Sequence, residues 1–147
     1  MLLAAGVFSV GIALLHVIII FVGAPAYRYF GAGEQMASQA EAGSTSPGLL
    51  TAAITVFFAV FALYAFAAAR VVRRPPFLRT GLITIGVIYT LRGLLLGPQL
   101  LSYISNTPLL GPKDLVFSAV SLVVGFLYLF GTWRAWPDLL TSRWRVA

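Results

Sequence analysis

Four apolar stretches dominate the chain: Leu2–Val22, Leu49–Ala69, Leu78–Leu101 and Leu115–Trp133. Each is close to the ~20 residues that a helix needs to cross about 30 Å of hydrocarbon. Helix breakers mark the joints, at Gly23–Pro25, Pro47–Gly48, Pro75–Pro76, Gly97–Pro98, Pro108 and Gly111–Pro112. In lipid every backbone N–H and C=O must be satisfied internally, which leaves helices or closed barrels. The strict apolar/polar alternation of a barrel strand is absent. The pattern predicts an all-α, polytopic membrane protein, a four-transmembrane-helix bundle forming one domain over residues 1–147. Its long external loop runs from 23 to 48.

The first span competes with a signal-peptide reading, because Ala24-Pro25-Ala26 mimics a small-residue cleavage site. Three features oppose cleavage: no Lys or Arg precedes the span, the apolar run exceeds the usual 7–15 residues, and a proline sits beside the cut. The span is expected to be retained.

Within the spans, small or weakly polar residues recur at helical spacing. The stripes are Gly6, Ser9, Ala13, His16 and Gly23; Thr51, Thr55, Ala59 and Ala62; Thr80, Thr84, Arg92 and Gln99; and Ser118, Ser121, Gly125, Tyr128 and Thr132. Small residues let membrane helices approach, so these stripes are expected to be packing faces, with His16 and Arg92 pointing into the bundle. Spans two and four also echo each other at an offset of 64 residues, Leu63-Tyr64-x-Phe66-x-x-x-Arg70 against Leu127-Tyr128-x-Phe130-x-x-x-Arg134. Chance resemblance between apolar segments explains the echo equally well. As a true repeat it makes the fold two pseudo-repeated helical hairpins related by an axis along the membrane normal.

Composition agrees with the spans. Of 147 residues, 60% are hydrophobic and only 10% charged, too few charges for a water-facing surface of this size. The net charge of +6 does not point to nucleic acid, because the basic residues sit at the ends of apolar runs. Arg70, Arg73, Arg74, Arg79, Arg134, Arg143 and Arg145 fall on one side and Arg28 and Lys113 on the other. That bias predicts both termini in the cytoplasm, the richness in Arg and Ala suits a bacterial inner-membrane protein, and Trp133, Trp136 and Trp144 are expected as interfacial anchors at that face. With no cysteine, disulfides, iron–sulfur clusters and Cys-based zinc sites are excluded within the chain, and with one histidine no metal site is expected.

Candidate chemistry rests on a few polar residues. Arg92 lies inside the third span, where a guanidinium costs at least roughly 2.5–3.5 kcal/mol to insert and therefore defaults to a functional role; snorkelling to the outer surface is the plain alternative. His16 falls at similar depth on the first span, and beside Arg92 it would stay neutral. No span offers a carboxylate, so Glu34, in the partly apolar stretch Tyr27–Ala37, is the expected counter-charge of Arg92, docking back over the outer mouth. A solvated Glu at a helix start is the competing reading. Tyr27, Tyr89, Gln99 and Tyr103 are expected to line the same outer-leaflet pocket. Ser38–Gly48 reads as a flexible connector. The Arg73-Arg74-Pro75-Pro76 turn suits anionic lipid, but topology alone accounts for its charge.

Such a pocket suits an integral membrane binding or accessory protein holding a small anionic, quinone-like or lipid ligand, with Arg92 supplying charge and directed donors. The alternatives are a small dimeric transporter, weakened by the lack of a carboxylate in the spans, and an enzyme or subunit of a membrane redox enzyme in which His16 works with Glu34. The enzyme reading lacks a visible nucleophile or cofactor. Partners expected on these readings are membrane lipid, a second copy of the chain or a larger membrane complex, and no nucleic acid. In length and helix number the whole chain resembles the small four-helix bacterial membrane proteins that include the DoxX-like families, some of which are linked to quinone redox partners. The likeness is architectural, with no motif to transfer.

Overall fold

The computed structural model describes residues 1–105 and 111–140. Pro108, Arg143, Trp144 and Arg145, which entered the turn and topology readings, lie outside the described residues. The helices are α1 (Leu2–Val22), α2 (Ala24–Phe30), α3 (Glu34–Glu41), α4 (Ser46–Ala68), α5 (Leu78–Leu94), α6 (Leu96–Ile104) and α7 (Pro112–Leu140). No strand occurs among the described residues. Four helices are long and apolar enough to cross a membrane: Leu2–Val22, Ser46–Ala68, Leu78–Ile104 with α5 and α6 taken together, and Pro112–Leu140. The chain is an all-α, multi-pass membrane protein.

Local chemistry sets the boundaries. The α5–α6 joint falls at Leu95, three residues before Pro98, whose missing N–H leaves the Leu94 carbonyl without its helical donor. Leu95 stays right-handed at φ −61°, so the span continues past the joint. Helix α7 opens with Pro112 in the first turn and the Asp114 carboxylate reaching back 3.0 Å to the Gly111 N–H, a reciprocal cap. It runs on past Trp133 to Leu140, longer than the apolar run alone suggested. The 23–48 loop holds two short helices, and only residues 42–45 separate α3 from α4. Ser38–Gly48 is therefore not a flexible connector. Helix α3 continues to Glu41 because Arg28 grips that residue, and Gly43 at φ 77° closes its end.

The described chain divides into two compact units. In the first, Met1–Gly6 joins the residues from Leu63 onward. Its core is the seam between α5 and α7. Leu78, Leu82, Ile85, Gly86, Tyr89 and Gly93 of α5 are buried, as are Ser118, Gly125, Tyr128 and Thr132 of α7. The fourth-span stripe is thus a packing face as expected. The third-span stripe is not: Thr80 and Thr84 are exposed. The face turns instead onto the glycines, because only a residue without Cβ admits the opposing backbone. A Cβ on Gly93 would stand 2.6 Å from Leu122 Cα, and one on Gly125 would stand 2.7 Å from Thr90 N. Tyr89 and Tyr128 stack in the seam with ring centroids 5.7 Å apart. The echoed tyrosines differ in use: Tyr128 is buried in the seam, whereas the Tyr64 hydroxyl donates to the Pro76 carbonyl at 3.1 Å.

At one end of this unit α4 closes on Arg70, which takes the left-handed conformation (φ 66°) that Gly31 and Gly43 take elsewhere. Val71 N–H bonds Phe66 O at 2.9 Å and Arg70 N–H bonds Ala67 O at 3.0 Å. The segment between α4 and α5 then carries Arg73, Arg74, Pro75 and Pro76 into α5. Met1 and Leu2 pack near Gly131 of α7, and Gly6 makes room for the Phe66 ring. The N-terminus, the Arg-rich turn and the last turns of α7 therefore share one end of this unit.

The second unit spans Val7–Ala62. Its core gathers Ile19 of α1, Ala24, Ala26 and Tyr27 of α2, and Ala37 of α3. Alanines at 26 and 37 let the two short helices close against each other, and Tyr27, 2% exposed, fills the space beneath them. Thr51 of α4 lies under the same cap, its hydroxyl 3.4 Å from that of Tyr27.

Candidate functional site

The residues proposed from sequence divide between the two units. Tyr89, Arg92, Gln99 and Tyr103 belong to the first; His16, Tyr27 and Glu34 belong to the second.

Arg92 lies near the middle of Leu78–Ile104. About 14 residues of helix at ~1.5 Å each, roughly 21 Å, separate it from the Arg-rich end. It sits at the edge of the α5 packing face rather than on it: Tyr89 and Gly93 are buried while Arg92 is exposed. The guanidinium folds back onto α7, where Nη1 donates to the buried Ser118 hydroxyl at 2.9 Å. That is a neutral partner, and no ion pair joins Arg92 to a carboxylate among the described residues. Gln99 lies beyond the α5–α6 joint, on α6. Its side-chain oxygen is buried without a hydrogen-bond partner, an unusual and costly state for an amide acceptor. Tyr103, four residues further on, is 50% exposed. Arg92 is thus at the edge of the α5–α7 seam with Tyr89 inside it, while Gln99 and Tyr103 lie on α6 past the joint.

In the second unit, His16 is half-buried on α1. Its Nδ1–H donates to the Ile12 carbonyl at 2.8 Å, and its ring tilts against Phe58 at 5.0 Å. A carbonyl can only accept, so this bond places a proton on Nδ1 and leaves Nε2 as the nitrogen open to other chemistry. Tyr27 is a core residue of the α2–α3 cap.

Glu34 corrects the expected pairing. Its carboxylate is held by Arg28, with Nη2 to Oε1 at 2.6 Å and Nε to Oε2 at 3.0 Å, and not by Arg92. Arg28 also binds Glu41, so one guanidinium clamps both ends of α3. The Glu41 and Glu34 hydrogen bonds push Arg28 further above its ordinary range, while the hydrogen bond from Arg28 holds each carboxyl below the usual carboxylate range. Local geometry explains the choice. Glu34 opens α3 three residues after the tight Gly31 turn that ends α2, so Arg28 reaches it without the ordering of a long loop. The i to i+6 spacing of Arg28 and Glu34 was the available signal.

Sequence reasoning also passed over Ser118 as the Arg92 partner and Gly86 and Gly93 as the residues that turn α5. The seven-residue glycine spacing in an apolar helix could have found the latter pair. No group of three or more His, Asp or Glu side chains able to hold a metal occurs among the described residues.

Fold and candidate residues together define a multi-pass α-helical membrane protein with a polar edge set into one span. Comparison with known protein families, with characterised proteins and with solved structures gives no match.

Proposed function

We propose that the chain is a binding or accessory protein of the bacterial inner membrane, with both termini in the cytoplasm. Its ligand-facing group is Arg92 in the outer half of the bilayer. The ligand class is small and anionic or carbonyl-bearing: a quinone-like molecule or a lipid head group. One observation carries the reading: an intramembrane guanidinium whose partner among the described residues is a neutral hydroxyl still lacks a counter-charge or a strong acceptor. Gln99, on the same span, holds a buried acceptor without a partner, which a ligand hydroxyl would satisfy on entry. Arg92 would donate to a ligand oxygen in a fork geometry.

The test compares Arg92→Leu with Arg92→Lys after mild detergent purification, with quinone and lipid extracted and quantified per mole of protein. Arg92→Leu should lose a co-purifying species that wild type carries, and Arg92→Lys should keep part of it. An unchanged melting temperature together with an unchanged extract would reduce Arg92 to a snorkelling residue.

The exposure of Arg92 favours a second reading, in which the acceptor comes from a second copy of the chain or from a larger membrane complex. Loss of an oligomer in Arg92→Leu, with the extract unaffected, selects it.

A further inference from the structure

We infer that the Arg-rich end of the first unit holds a binding site for the phosphate of an anionic phospholipid, independent of Arg92. A cavity of about 400 Å³ opens there, lined by Arg74, Phe77, Arg79, Thr80, Ile83 and Trp136 among others. That is space for a head group and the top of its glycerol.

Both arginines of the lining have a defined anchor. Arg79 lies over the Trp136 ring with its guanidinium carbon 5.5 Å from the centroid. The cation–π contact holds the guanidinium at the cavity wall, where its N–H groups can meet an oxyanion. Arg74 is anchored by a 2.9 Å bond from Nη2 to the Leu139 carbonyl and adds a second positive charge to the lining. The acid nearest in sequence to Trp136 is Asp138, and it is engaged by Arg70 at 3.2 Å. The first turn of α5 forms the floor. Its cap, Phe77, makes no side-chain hydrogen bond to the helix, so the N–H groups at that terminus add to the positive field.

The apolar part of the lining decides between a lipid and a soluble phosphate. Phe77 is 83% exposed and Ile83 40% exposed, on the rim beside the guanidinium groups. Both stand at the start of a membrane-crossing helix, where acyl chains meet head groups. A site for a free anion gains nothing from an exposed phenyl ring, whereas a phospholipid covers it with its own chain. Topological bias explains why arginines lie at this end, but not why one lies over an indole beside a cavity.

The experiment uses the full chain in a Trp133→Phe, Trp144→Phe background, so that Trp136 alone reports. The protein is placed in vesicles of mixed phosphatidylcholine and phosphatidylglycerol, with one or the other lipid brominated. Trp136 fluorescence should be quenched more strongly by brominated phosphatidylglycerol. Arg79→Gln should cut that preference about five-fold, the factor that corresponds to removing one arginine near a lipid surface. Arg134→Gln, a charge at the same end outside the cavity lining, should leave it within a factor of two. Should Arg79→Gln fail to fold, Thr80→Glu places a carboxylate in the same lining at a helix position that favours one, and it should abolish the preference. Equal quenching by both lipids in the parent overturns the proposal. So does an equal loss in Arg134→Gln, which would mean diffuse surface charge, and so does displacement by millimolar inorganic phosphate, which would mean a soluble-anion site.

Discussion

Replacing Gly93 by alanine tests the α5–α7 seam at its tightest point. The added Cβ would lie 2.6 Å from both Leu122 Cα and Leu122 N, backbone atoms that no rotamer change can move. Ordinary carbon contacts begin near 3.5 Å, so the helices must separate locally by about 1 Å. A gap of that size forfeits roughly a quarter to a half of each contact across the seam, and with tens of atom pairs at 0.1–0.2 kcal/mol each the loss is on the order of 1–2 kcal/mol. The Arg92–Ser118 bond, 2.9 Å long and one residue away, would stretch beyond bonding distance, adding about 0.6 kcal/mol. Against this stands the better helix propensity of alanine, up to about 1 kcal/mol. The net expectation is a destabilisation of about 1–2 kcal/mol, within the usual range for overpacking. The assay is reversible unfolding in mixed micelles by increasing mole fraction of dodecyl sulfate, followed by circular dichroism. Gly11→Ala is the control, because nothing lies within 4 Å of its added Cβ, and it should be neutral or stabilising. Gly125→Ala should resemble Gly93→Ala, and the double variant should cost less than the sum, since one separation relieves both clashes. A Gly93→Ala protein as stable as Gly11→Ala would refute the close approach.

The Arg28 clamp predicts an acid-sensitive cap. Glu34 and Glu41 titrate below their ordinary values in the folded protein, so their contribution is complete above the unfolded carboxylate range near pH 4.3 and is lost as pH falls through the folded values. Hydrogen exchange in α2–α3 should therefore be flat from about pH 8 to 5, once corrected for intrinsic rates, and accelerate below about pH 4. Arg28→Gln should remove that acid dependence, and an unchanged profile in the variant would count against the clamp. Membrane sidedness is checked by Ser44→Cys, which an impermeant thiol reagent should label in intact cells. Arg73→Cys should react only after permeabilisation, and the opposite pattern inverts the proposed topology.

Much of this molecule was legible in one dimension because membrane insertion is. Whether a segment spans depends on a sum over its own residues, so the four apolar runs mark the four long helices. Local punctuation works in the same way. Pro98 breaks the third span, Gly111-Pro112-x-Asp114 starts α7, and the Ser118-to-Thr132 stripe marks the face α7 buries. The partly apolar stretch Tyr27–Ala37 falls across the two short helices of the loop.

The partner of each charged or polar residue was decided elsewhere. Hydropathy gives no angular phase to a helix that is apolar all round, and α5 is turned by the absence of side chains at Gly86 and Gly93, a signal that residue polarity does not carry. That rotation puts Thr80 and Thr84 outside the seam and Arg92 at its edge, within reach of Ser118. On sequence grounds Glu34 had Arg92 or solvent as its alternatives. The tight Gly31 turn between α2 and α3 brings Arg28 to it at little entropic cost, and Glu41 follows one helix length later. The cavity of Arg74, Arg79 and Trp136 needs α5 and α7 side by side before it exists, since its lining comes from positions more than fifty residues apart. Span count and helix ends follow from local free energies. Ion-pair choice and helix rotation follow from distances between remote residues, which only the packed chain defines.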